Sequence, residues 1–134
     1  EISACLVGSE MCIRDSLEIP KNNSVMFGSL SGTKLGVWVA HGEGKFEFPY
    51  EEKEYNIIAK YNYDGYPANP NGSPWSVAGV CSKDGRHLAM MPHPERAIFP
   101  WQCGYYPADR KENDEVTPWI EAFVNARKWI ENNK

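Results

Sequence analysis

The stretch Met90-Met91-Pro92-His93-Pro94-Glu95-Arg96 sets an imidazole and a carboxylate two residues apart, with proline on both sides of the imidazole. Proline disfavours the α region for the residue before it, which predicts extended geometry at Met91 and His93. Residues i and i+2 of an extended chain share a face. His93 and Glu95 are therefore expected side by side, with the carboxylate holding one ring nitrogen. That is the base and its orienting group in a nucleophilic triad, where the carboxylate selects the tautomer and steadies the imidazolium. The nucleophile is the part still to be found.

Four cysteines are available, Cys5, Cys12, Cys81 and Cys103, and no two form a C-x-x-C pair. A zinc ribbon, a thioredoxin-type motif and a disulfide framework are all disfavoured, and reduced thiols are expected. Cys81 follows the apolar run Val77–Val80 at a strand end, and Cys103 lies in the aromatic loop Trp101-Gln102-Cys103-Gly104. Neither occupies a glycine-flanked strand-to-helix elbow of the kind that exposes a nucleophile, so both read as structural.

A second constellation is His41-Gly42-Glu43-Gly44, directly after an apolar strand. Alternating glycines let backbone N–H groups approach a ligand closely. The pattern fits a substrate-binding loop and an ordinary hairpin turn equally well. His41, Glu43, His93 and Glu95 together would also suit a divalent metal, a weaker reading, and no metal site is expected. A zinc deaminase is excluded, since its H-x-E must be joined by P-C-x-x-C.

These residues have to be positioned by what surrounds them. The chain has 134 residues, 42% hydrophobic and 13% aromatic, enough for a packed core, and a net charge of −4 that argues against nucleic acid or an anionic membrane as partner. Apolar runs at Leu35–Ala40, Tyr55–Tyr63, Val77–Cys81 and His87–Met91, and the alternating Lys45–Phe48, predict five or six strands. Tyr66–Trp75, rich in proline and asparagine, reads as a rigid loop, and the charges of Asp109–Glu115 as a solvated one. Thr117 as cap, Pro118, and the spacing of Trp119, Ile120, Phe123, Val124, Arg127 and Ile130 predict one amphipathic helix over Pro118–Asn132. Glu1–Ser16 has no clean period, and CLVGSEMCIRDS is similar to translated sequencing-adapter read-through. Residues 1–16 are therefore expected to be a non-native leader and 17–134 the domain.

The segments VWVAHGEGKFEF, YPANPNGSP and MMPHPER, in this order and followed by TPWIEAFVNARKW, resemble the phosphoribosylformylglycinamidine synthase family. The resemblance is to the C-terminal glutaminase domain of the large single-chain form, and it covers Leu17 to Lys134. It implies the C-terminal part of a class I glutamine amidotransferase (flavodoxin-like) α/β domain around a mainly parallel sheet, strand-rich here with one C-terminal helix. It implies a cytoplasmic, ATP-dependent ligase of purine biosynthesis, with His93 and Glu95 as the histidine and glutamate of a Cys-His-Glu triad. Glutamine is the implied substrate, and the N-terminal synthetase and glutaminase parts of the same polypeptide are the implied partners. ATP and magnesium are implied for the full-length enzyme and no cofactor for this portion. The family's cysteine elbow lies upstream of the HGEG segment and has no counterpart in this sequence, so the chain is expected to be a truncated portion, inactive alone. The alternatives are a non-catalytic docking or ammonia-channel module and, less favoured, a metal-dependent hydrolase.

Overall fold

Among the described residues five short strands form, three of them carrying the β-branched or aromatic residues that suit a pleated surface. They are β1 (Arg14–Glu18), β2 (Lys34–Trp38), β3 (Asn56–Tyr61), β4 (Val77–Cys81) and β5 (Leu88–Met90). The computed structural model describes residues 14–134 apart from Val39, His41 and Pro67. The strands form one sheet in the order β2-β1-β3-β4-β5. Strand-rich architecture with a C-terminal helix is as expected, but every described pairing is antiparallel, where the resemblance implied a mainly parallel sheet. Parallel neighbours need a crossover of a dozen or more residues, usually helical. Here β4 and β5 are joined by the tight turn Ser82–His87, and both described α-helices follow the last strand.

The expected boundary at Leu17 falls inside β1, whose residues Arg14–Ser16 pair with Gly36–Trp38 of β2. The backbone N–H of Asn62 also donates to the Ser16 carbonyl at 3.0 Å. Residues 1–13, with Cys5 and Cys12, lie outside the described residues. Lys45–Phe48, expected as a strand, joins no ladder.

Leu17, Ile19, Phe27, Val37, Ile58 and Trp119 are the large side chains at the centre of the core, all essentially inaccessible. The turn before β5 is held by Gly85, whose φ of +73° belongs to the left-handed region. Its carbonyl accepts the Val25 N–H at 2.9 Å, and a Cβ added there would lie 2.1 Å from the Asn23 carbonyl oxygen. Gly85→Ala is therefore expected to cost on the order of 3 kcal/mol through overpacking and left-handed strain. A urea unfolding midpoint equal to the wild type's would contradict this.

Two helices follow the sheet: α1 (Ala108–Lys111), a single turn in what read as a solvated loop, and α2 (Ile120–Asn132). The Arg110–Asp114 ion pair at 2.9 Å and the Tyr106 hydroxyl, donating to Asp114 at 2.6 Å, brace α1. The helix expected from Pro118 with Thr117 as its cap begins instead at Ile120, with Trp119 at the cap position and no side chain capping it; the Thr117 hydroxyl accepts the Trp119 N–H at 3.3 Å just ahead of it. Only the first half of the anticipated stripe packs. Trp119 and Ala122 are buried, whereas Arg127 and Ile130 stand in solvent. Asn125, outside the stripe, donates to the Met26 carbonyl at 3.1 Å and the Ser29 hydroxyl at 2.6 Å, docking α2 on the turn at Gly28–Leu30.

Candidate active site

The sheet delivers His93 from the end of β5. The Met91 N–H donates to the Ala78 carbonyl at 2.9 Å, extending the β4–β5 pairing by one bond, and Pro92 is fully buried. His93 is extended (φ −106°, ψ 94°), as its place before proline requires. Glu95 is not. Pro94–Ala97 forms a 3-10 turn, with the Arg96 N–H on the His93 carbonyl at 3.0 Å. The pair therefore meets by a turn folding the carboxylate back onto the ring, not by two side chains sharing an extended face.

The contact is close: His93 Nδ1 lies 2.8 Å from Glu95 Oε1. An ionised carboxylate only accepts, so Nδ1 carries the proton and Nε2 is the nitrogen left for proton transfer. Partial burial works against ionisation of Glu95, but its own backbone N–H, the His93 ring and the charges of His93 and Arg96 outweigh it and hold its pKa below the usual 4.5.

A carboxyl whose folded pKa is lowered contributes stability above its unfolded pKa and loses it as pH falls through the folded value. The stability difference between wild type and Glu95→Gln is thus expected to be full above about pH 4.5 and to close in more acid solution. Melting temperatures of the two proteins across pH 2–7 check this, and a difference that stays constant into acid would refute it. With about half of each side chain in solvent, the effect should be small.

The far end of the turn is tied to the helix. Ala97 is buried, its carbonyl accepts the Thr117 hydroxyl, and the Thr117 N–H donates to the Ile98 carbonyl at 2.6 Å. Thr117, in the turn just before α2, thus anchors the segment carrying the histidine and carboxylate, a link that the spacing of Thr117 from His93 does not announce.

The HGEG segment sits on a different support. His41 lies outside the described residues. Gly42 takes φ +59°, and the Asn71 amide donates to the carbonyls of Gly42 at 2.6 Å and Gly44 at 2.8 Å. Among the described residues, the side-chain bonds that reach Gly42 and Gly44 come from the Asn69–Ser73 loop. Asn69, buried, exchanges both amide groups with the backbone of Ser73, each at 2.9 Å. Its proline-rich composition identified a rigid loop but not this work of its asparagines.

The Cys81 sulfur accepts the Asn56 amide at 2.9 Å, and burial, followed in size by that opposing bond and the nearby Asp84 charge, leaves its thiol pKa raised. An activated nucleophile needs the reverse. Cys103 packs beside the core. Among the described residues no three potential metal ligands cluster. A cavity of about 280 Å³, lined by Trp38, Ala97, Cys103, Tyr106, Arg110 and Trp119 among others, lies between β2 and the 103–110 segment; neither His93 nor Glu95 lines it.

The family model of the CobB/CobQ-like glutamine amidotransferase domain matches residues 12–130. The chain is 42% identical over 134 aligned residues to the probable phosphoribosylformylglycinamidine synthase, chloroplastic/mitochondrial, of Arabidopsis thaliana, covering 90% of this chain and 10% of the relative. It is 43% identical over 126 residues to the human phosphoribosylformylglycinamidine synthase, covering 85% and 9%. The chain thus spans about a tenth of the length of the curated relatives it matches. Its fold is shared with PurLQS from Thermotoga maritima, at a TM-score of 0.64 and 23% identity over 89% of this chain and 47% of that one. From the match over most of its length, the chain belongs to the CobB/CobQ-like glutamine amidotransferase domain family.

Proposed function

We propose that this chain supplies the histidine and carboxylate of a glutaminase that feeds ammonia to an ATP-dependent synthesis of formylglycinamidine ribonucleotide, in purine biosynthesis. The observation that carries the reading is the 2.8 Å contact between His93 Nδ1 and Glu95. A carboxylate fixed on Nδ1 leaves Nε2 to take and return the proton, as triad chemistry needs. The names of the relatives supply the substrate class.

In this reading His93 Nε2 first takes the proton of a cysteine thiol from another part of the polypeptide, and the resulting thiolate attacks the side-chain amide carbon of glutamine. His93 Nε2 gives a proton to the departing nitrogen, which leaves as ammonia. Water, losing its proton to Nε2, then displaces the sulfur and releases glutamate. Glu95 does not change protonation; it stabilises the transient imidazolium. The backbone at Gly42–Gly44, with His41 and Glu43, lines the glutamine side of the site. ATP and magnesium belong to the synthetase part, and no step here runs through them.

No helix among the described residues is long and apolar enough to cross a membrane. The unpaired thiol of Cys81 supports a reducing compartment, which we take as the cytoplasm. The test compares glutamine-dependent with ammonia-dependent synthesis in the polypeptide carrying this domain, with and without His93. Loss of both activities together would favour a docking module over a glutaminase.

A further inference from the structure

The segment 42–48 has the alternation of a strand and none of its ladder bonds, so something else must hold it. That support is the loop 69–76, which grips it at every second residue. Asn71 binds the carbonyls of Gly42 and Gly44. The Ser73 hydroxyl accepts the Phe46 N–H at 3.4 Å. The Trp75 ring stacks on Phe48, with centroids 5.3 Å apart and planes 24° from parallel. Residues 71, 73 and 75 thus meet 44, 46 and 48 in step, through side chains in place of backbone pairing.

The loop is built to stay rigid while it does this. Asn69 closes it on itself through Ser73. Trp75 and Ser76 both take left-handed backbone, at φ 52° and 58°, without being glycine. Such conformations persist only where the surroundings over-determine them. Here the Ser76 hydroxyl donates to Asp64, and Trp75 is seated on Phe48 and Tyr55. Strain is therefore held at the hinge between the loop and β4.

We propose that Asn71 is a positioning residue for the glutamine-facing loop at Gly42–Gly44. The inference rests on the functional reading above, in which that loop lines the substrate site. One nitrogen bearing two hydrogens satisfies carbonyls at i and i+2 simultaneously, which commits both carbonyls to the scaffold and fixes the turn at Gly42. Among side chains of this length, aspartate offers only acceptors and leucine neither donor nor acceptor, while glutamine carries the same group one methylene further out.

Steady-state kinetics on the full-length polypeptide that contains this domain test the assignment, with Asn71→Leu, Asn71→Asp, Asn71→Gln and His93→Ala compared. The KM for glutamine is expected to rise about tenfold in Asn71→Leu, equivalent to about 1.4 kcal/mol, and further in Asn71→Asp, with Asn71→Gln intermediate. In all three kcat should stay within about twofold and ammonia-dependent synthesis should not change. An unchanged KM for glutamine overturns the proposal, as does a parallel fall of glutamine- and ammonia-dependent rates with a lowered melting temperature, the mark of a merely structural residue. Should Asn71→Leu be insoluble, the near-isosteric Asn71→Asp carries the same test. If His93→Ala abolishes glutamine use while Asn71 variants keep the wild-type KM, the clamp alone fails. If His93→Ala leaves glutamine use intact, the underlying functional reading fails.

Discussion

Replacing His93 by alanine in the full-length polypeptide is expected to lower glutamine-dependent turnover by about a thousandfold while ammonia-dependent synthesis proceeds at the wild-type rate. General acid–base assistance is worth about 10²–10⁴ in rate, and a triad histidine serves both steps of the reaction, first for the departing ammonia and then for the attacking water. The ammonia-supplied reaction bypasses both. The side chain is only about half buried and its described bond runs to Glu95, so the substitution should barely alter folding. Steady-state rates with each nitrogen source, beside a thermal melt, give the answer. A reduction of less than tenfold with glutamine would remove His93 from the chemistry.

The largest effect on stability is expected at Trp119. Its indole is inaccessible, meets Phe27 edge-on at 6.0 Å and 86°, and donates to the Gly36 carbonyl at 2.9 Å. One side chain thus joins the start of α2 to β2 and to the turn that follows Phe27. Trp119→Ala is expected to destabilise by about 3–5 kcal/mol, enough to remove much of the stability of a domain this size. Trp119→Phe keeps most of the volume and gives up the bond, for about 1 kcal/mol. Chemical denaturation of the three proteins should show that order, and equal losses in the two variants would mean the hydrogen bond, not the packing, dominates.

The His93–Glu95 pair was legible because chemistry and spacing coincide in a few residues, and proline constrained the backbone at His93. Its route of contact was not. Proline restricts its predecessor but is equally at home as the first residue of a helical turn, and Pro94 uses that second property. The strand positions of β2 to β5 followed from local apolar runs. Lys45–Phe48 misled because period-two alternation reports which side chains face the interior, not whether a neighbouring backbone is present to pair with. Its true partners, Ser73 and Trp75, lie in a loop whose composition forbids a strand. Likewise Arg127 and Ile130 keep the helical period yet stand exposed, so periodicity alone overstated how much of α2 is covered. The anchoring of Ala97 and Ile98 by Thr117 is a contact across about twenty residues of chain that include the single turn α1. No local pattern encodes it.

The Trp119 bond to Gly36 has one more consequence, for how molecules of this protein behave toward each other. Among the described strands β2 lies at one border of the sheet and β5 at the other. A bare border offers backbone groups that can recruit a second chain and seed aggregation. On β2 an indole occupies one of these carbonyls and the charged Lys34 stands at the strand's first position. On β5 the border is only three residues long. The same tryptophan that closes the interior therefore also acts as a guard against self-association, and a protein that lost it would be exposed to precipitation while still folded.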